Sequence, residues 1–203
     1  LQEYLKFEHD DISAMRLLGA LELQAGDPIA ANVILSEANR LQRNNPTILT
    51  LLGMAFLEMG NIDKANYYLE QVTKLIPDSS EGLTNLARGK MAAGSFDDAI
   101  NNLLKAEQHN LDSLDVKLLL VRAYQKSRQF DSAVEIMQKL IQQEPNNAFL
   151  LTTYGTAVGL AGDHATARKS YEKALKNDPK SIITLIHLSR MDVIEGHTEK
   201  AIN

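Results

Sequence analysis

Arg88 and Arg122 stand 34 residues apart, and Lys126 follows the second by four. On a helix, cations four apart share one face, one turn from each other. A planar guanidinium grips a carboxylate through paired N–H donors, so such a set suits an acidic ligand. The five histidines, His9, His109, His164, His187 and His197, are the other candidates for chemistry. Holding a metal or moving a proton requires partners at ligand or hydrogen-bond spacing, and no carboxylate or thiolate pattern accompanies any of them. The chain has no cysteine, which removes disulfides and thiolate centres and leaves the redox compartment open. No phosphate loop, GxGxxG turn, GxSxG elbow or HExxH helix occurs. Catalytic residues, a cofactor and a metal site are therefore not expected.

Composition narrows the partners. The formal net charge of −5 over 203 residues lacks the broad basic footprint by which proteins displace counterions from phosphates, so nucleic acid is not an expected ligand. The uncharged, largely apolar stretch from Ala148 to Gly162 is shorter than a bilayer span and is broken by threonines and glycines. It reads as a buried helix. No basic segment followed by an apolar one stands at either end, so a signal or lipid-attachment sequence is expected to lie outside this chain.

The elements that must position these residues are set by a strict register. Ala31, Ala65, Ala99, Ala133, Ala167 and Ala201 recur every 34 residues, and Gly26, Gly60, Gly94, Gly162 and Gly196 stand five residues before five of those alanines. Counting 34 positions from Ile12, position 8 holds Gly19, Gly53, Ala87, Val121, Gly155 and Ser189. Small residues on facing helices let their axes approach closely. A glycine at position 15 suits the left-handed C-terminal cap of a helix that must reverse within a few residues. In AGDPIAA, Asp27 is placed to cap the next helix and Pro28 fits its first turn. Arg128 takes the glycine place in the fourth unit, where a less regular turn or a strained residue is expected. Pro77, Pro145 and Pro179 mark the end of the second helix. Leucine-class residues at positions 7 and 24 supply the core stripe of each helix.

A 34-residue period with this pattern resembles the tetratricopeptide repeat, a helix-turn-helix unit, over essentially the whole chain. The resemblance implies an all-α fold, a right-handed αα-superhelix or solenoid of five complete repeats with partial repeats at both ends. Residues 1–11 read as the end of a preceding second helix; repeats occupy 12–45, 46–79, 80–113, 114–147 and 148–181; and 182–203 read as a partial sixth. His164 and His197 then fall on turns of adjacent repeats. An array entered and left out of phase reads as part of a longer one, and its ends are expected to present apolar faces, so that copies associate end to end.

In that family the first helices line a concave groove, with positions 2, 5, 9, 12 and 13 commonly facing it. The resemblance therefore implies a partner-binding set of Arg88, Arg122, Lys126, Phe149, Thr152 and Arg190, taking a protein or an extended acidic or C-terminal peptide. Glu81 and Asp115 offer the competing arrangement, in which they neutralise the arginines across the groove. The carboxylate clamp of chaperone-binding members is not matched: its lysine and asparagine places hold Thr50 and Met54, and its third-repeat places hold Asp115 and Leu119. The charged residues at position 11, Glu22, Lys90 and Asp192, are expected to bury their stems and keep the charge in water. With no tryptophan and the aromatic residues mostly at structural positions, sugar stacking has little support.

The wording LLGMAFLEMGNIDKANYYLEQ, LLLVRAYQKSRQFDSAVE and TYGTAVGLAGDHATARKSYEKALKNDP is similar to the tetratricopeptide lipoproteins associated with bacterial PEP-CTERM protein sorting and exopolysaccharide production. That resemblance implies a non-catalytic scaffold of the bacterial cell envelope, in the periplasm or anchored at the outer membrane, with the cytoplasm left open by composition. Two other settings fit the repeats: the arm of a larger glycosyltransferase, or a polysaccharide-export or secretion protein. A lipobox, a transferase domain or a terminal β-barrel elsewhere in the gene would separate the three.

Overall fold

A computed structural model describes residues 2–5 and 7–194. Gly196, His197 and Ala201 lie outside the described residues. Within them are twelve α-helices and no strand: α1 (Gln2–Leu5), α2 (Ile12–Gln24), α3 (Pro28–Leu41), α4 (Pro46–Glu58), α5 (Ile62–Leu75), α6 (Ser80–Ala92), α7 (Phe96–His109), α8 (Leu114–Lys126), α9 (Phe130–Gln143), α10 (Ala148–Leu160), α11 (His164–Asn177) and α12 (Ile182–Ile194). Each of α2, α4, α6, α8, α10 and α12 begins at position 1 of the register and runs 13 residues.

Local chemistry explains the lengths. Side chains of Asp11, Asp27, Asn45, Asn61, Ser79, Asn147 and Asp163 accept from backbone N–H groups two or three residues on, satisfying donors that a helix start leaves open. The first helices stop at a left-handed residue: φ is +79° at Gly26, +73° at Gly60, +76° at Gly94 and +97° at Gly162. The amide after each of these glycines reaches back to a carbonyl in the last turn, as Asp27 N–H does to Glu22 O at 2.8 Å. Arg128 holds the same conformation at φ +64°, and Gln129 N–H still donates to Tyr124 O at 2.8 Å. The turn is thus regular and the strain is confined to one residue. A Cβ at the four glycines would meet nothing within 4 Å, which is why a bulky residue fits this place once its φ is tolerated.

The chain forms two compact units, Leu1–Val116 and Lys117–Asn203, the division falling in the first turn of α8. In the first unit successive helices from α2 to α7 pack pairwise, and α2 also meets α4 and α4 meets α6. In the second, α9, α10, α11 and α12 pack in succession. Ala31, Ala65, Ala99 and Ala133 are wholly buried and Ala167 nearly so.

The partner of the position 8 glycines is more specific than small-on-small packing. A Cβ at Gly19 would stand 2.5 Å from Leu35 Cγ, one at Gly53 would stand 2.6 Å from Leu69 Cγ, and one at Gly155 would stand 2.6 Å from Tyr171 Cε1. Position 24 of the second helix therefore enters the notch left by position 8 of the first. At Val121, where position 8 carries a larger side chain, the flexible Met137 fills the opposing place in the same buried cluster; in the repeat where position 8 is Ala87, Leu103 at position 24 is still wholly buried.

Arg128→Gly should remove the left-handed penalty and stabilise the protein by about 1 kcal/mol, less the extra entropy of an unfolded glycine. Urea denaturation reads the difference; a loss of stability would show that the Arg128 side chain contributes more than its backbone costs.

Candidate partner-binding groove

Position 2 of the first helices is open to solvent in all six repeats and position 9 in four, with Ala20 and Thr156 half-buried. Ser13, Thr47, Glu81, Asp115, Phe149 and Ile183 at position 2 are all exposed, as are Met54, Arg88, Arg122 and Arg190 at position 9. Position 9 of one repeat reaches position 2 of the next: the Arg88 guanidinium nitrogen Nη2 donates to Asp115 Oδ2 at 2.8 Å and to Oδ1 at 3.0 Å. Arg88 is thus neutralised in place, as the competing arrangement supposed, and the pair stays wet enough to add little stability.

One repeat later the equivalent place holds Phe149 instead of a carboxylate. Phe149 is 60% exposed in the first turn of α10, and Arg122 and Lys126 are exposed on α8. Neither cation forms an ion pair among the described residues, and the same holds for Arg190 on α12. Arg88 lies in the first unit, and Arg122, Lys126, Phe149 and Arg190 in the second.

Thr152 does not belong to this set. It is 7% exposed, its hydroxyl donates to Ala148 O at 2.8 Å, and it meets the Thr184 hydroxyl at 2.7 Å. Thr84 behaves alike, buried with its hydroxyl on Ser80 O. Position 5 in these repeats faces a neighbouring helix, and its hydroxyl is consumed by the carbonyl four residues back. Thr184 in turn meets Ser181 Oγ at 2.8 Å, so the polar atoms of this contact satisfy one another.

The charges at position 11 also differ from expectation. Asp192 is buried rather than wet, and its carboxylate accepts from Arg168 Nη2 at 2.7 Å. Lys90 Nζ reaches Glu70 Oε1 at 2.7 Å. Each links a first helix to the second helix before it, α12 to α11 and α6 to α5. Sequence reading missed these links because it weighed each charged residue alone. The signal available was opposite charge at two packed positions of adjacent helices.

Beside the Arg168–Asp192 pair, the rings of Tyr171 and His187 stack at 5.1 Å with planes 5° apart. Burial holds the His187 ring below the usual histidine range, and the nearby Arg190 charge acts in the same sense, which favours the neutral imidazole. Burial raises the Tyr171 phenol, opposed by its contact with the Thr156 hydroxyl at 3.2 Å. His187 is thus part of the packing. Among the described residues no three histidines or carboxylates gather as a metal site would require. No described helix is long and apolar enough to cross a membrane.

A family model described as tetratricopeptide repeat matches residues 22–88 and 90–151, and a second of the same description matches 156–181. The chain belongs to the tetratricopeptide repeat family. No curated protein matches it. Among solved structures, a tetratricopeptide repeat protein from Parabacteroides merdae is similar at 17% identity and TM-score 0.83, over 98% of this chain and 79% of its own. MamA from Desulfovibrio magneticus RS-1 is similar at 22% identity and TM-score 0.75, over 85% of this chain and 98% of its own. YrrB, described as a TPR protein with an unusual peptide-binding site, is similar at 14% identity and TM-score 0.70, over 93% and 97%. At these identities the likeness shows the fold, all-α and of the αα-superhelix class.

Arg168→Ala should lower stability by about 2 kcal/mol, because it leaves the Asp192 carboxylate buried without its guanidinium. Thermal and urea denaturation measure this; a change within about 0.5 kcal/mol, the range of ordinary surface substitutions, would mean the pair carries no weight in holding α11 to α12.

Proposed function

We propose that this repeat protein is a non-catalytic scaffold that captures an acidic, extended peptide segment of a partner protein. The carrying observation is the replacement of Asp115 by Phe149 at equivalent places. The geometry that neutralises Arg88 internally has no carboxylate to offer Arg122, so Arg122 and Lys126 keep their charge for a ligand while Phe149 supplies an apolar ring. A carboxylate on the partner gains a charge-assisted bond from the guanidinium, and an exposed aromatic gives anchoring area at small cost in side-chain freedom. Arg190 extends the basic character of the same unit. The peptide-binding site named for YrrB supports a peptide as the ligand class for this fold.

The cellular setting we propose is the bacterial envelope, in protein sorting and exopolysaccharide assembly. It is supported by the wording of the repeats around Gly60, Arg128 and Gly162 and by their order.

One experiment addresses both parts. The wild-type chain and the Arg122→Ala/Lys126→Ala variant are immobilised, presented separately with envelope and cytosolic fractions of the source cells, and the bound proteins quantified by mass spectrometry. A partner enriched from the envelope and reduced at least tenfold by the double variant is expected, with Arg88→Ala having a lesser effect because Asp115 already holds that group. Undiminished capture by the double variant would overturn the groove, and partners drawn only from the cytosol would overturn the setting.

A further inference from the structure

In the second unit the open face of the first helices carries its side chains in a definite order. At about 3.6 residues per turn, positions 2 and 9 of a helix lie on one face. Position 9 of one repeat meets position 2 of the next, as Arg88 meets Asp115. A line drawn from α8 over α10 to α12 thus passes Arg122, Phe149, Thr156, Ile183 and Arg190 in turn.

The two ends of that row are cationic and its middle is apolar. Phe149 is 60% exposed and Ile183 is 66% exposed. Position 2 is open in every repeat, so this exposure belongs to the place in the register. Thr156 between them has no hydroxyl to offer, since its Oγ1 donates to Thr152 O at 3.1 Å and meets the Tyr171 hydroxyl at 3.2 Å. Arg122 and Arg190 form no ion pair among the described residues. From Lys117 to Ile194, positions 2, 9 and 13 hold no aspartate or glutamate, so the chain supplies no balancing charge at these places.

We infer, building on the acidic peptide ligand proposed above, that this groove selects an extended segment of roughly seven residues with acidic side chains at its first and seventh places and apolar ones at its third and fifth. Adjacent first helices touch, as the Thr152 and Thr184 hydroxyls do at 2.7 Å. Their axes then stand about 8–10 Å apart, which puts Arg122 and Arg190, two helices apart, about 16–20 Å from each other. An extended chain advances about 3.3 Å per residue and turns every second side chain to one face, so its odd places face the groove over about 20 Å. The first carboxylate meets Arg122, the apolar pair lies over Phe149 and Ile183, and the last carboxylate meets Arg190. A helical ligand of the same length spans only about 9 Å and reaches one arginine but not both.

The test is a titration of the chain, by calorimetry, with three acetylated and amidated peptides: Glu-Ser-Leu-Ser-Leu-Ser-Glu, its isomer Glu-Leu-Ser-Ser-Ser-Leu-Glu, and Gln-Ser-Leu-Ser-Leu-Ser-Gln. The isomer has the same composition but turns both leucines away from the groove. The first peptide should bind roughly tenfold or more tighter than either of the others. Arg190→Ala and Ile183→Ser should each weaken it roughly tenfold, with the helical circular dichroism and the melting temperature of the chain unchanged. Equal affinity for the first peptide and its isomer, or full affinity in Arg190→Ala or Ile183→Ser, would overturn the register and leave an acidic ligand for the groove in place. Equal binding of the glutamine peptide, or no saturable binding of any of the three, would overturn the acidic ligand and the register together.

Discussion

The pairing of two helices in a repeat turns on the seat that one offers the other, tightest where position 8 is glycine. Position 8 of a first helix has no room for a Cβ beside Leu35, Leu69 or Tyr171, so the side chain at position 24 sits where a methyl group would otherwise be. The wholly buried alanines at position 20 lie four residues earlier on the same second helix, one turn away. Between them these contacts fix how the two helices of a repeat approach and rotate. The cost of glycine within a helix, about 1 kcal/mol relative to alanine, is offset by the packing of a large apolar side chain at full burial.

Once the pair is fixed, the places on its surface acquire neighbours of defined identity. Position 9 meets position 2 of the next repeat, as Arg88 and Asp115 show, so changing one residue at position 2 changes what the arginine before it can meet. Asp at that place closes the arginine off; Phe leaves it open. The same logic governs position 11, where Lys90 and Asp192 find partners on the preceding second helix. Exposed surface and packing surface in this protein are separated by a residue or two along one helix. Thr152 and Phe149 are three residues apart, one buried under α12 and the other in water.

The fold was legible in the sequence because a repeat states its constraint several times over. Alanine at position 20 and glycine at position 15 recur without an insertion, and even Arg128 is readable as an exception because its neighbours define the rule. The site was legible only in part. Exposure of Arg122, Lys126, Phe149 and Arg190 follows from their register, but the burial of Thr152 turns on which helix lies across it, and that depends on a contact outside its own repeat. The Arg168–Asp192 link arises from side chains far apart in sequence, with no periodic signal to carry it. A position consensus therefore finds where a face points and misses how its polar atoms are shared.

A double-mutant cycle on Gly53 and Leu69 tests the seat most directly. Gly53→Ala alone should destabilise by about 1–2 kcal/mol, because the new Cβ falls 2.6 Å from Leu69 Cγ and its overpacking outweighs the helix propensity of alanine. In the Leu69→Ala background, where the obstructing atoms are gone, the same substitution should become neutral or stabilising, with a coupling energy above about 1 kcal/mol. Equal effects of Gly53→Ala in both backgrounds, measured by urea denaturation, would contradict the claim that these two positions hold the repeat together.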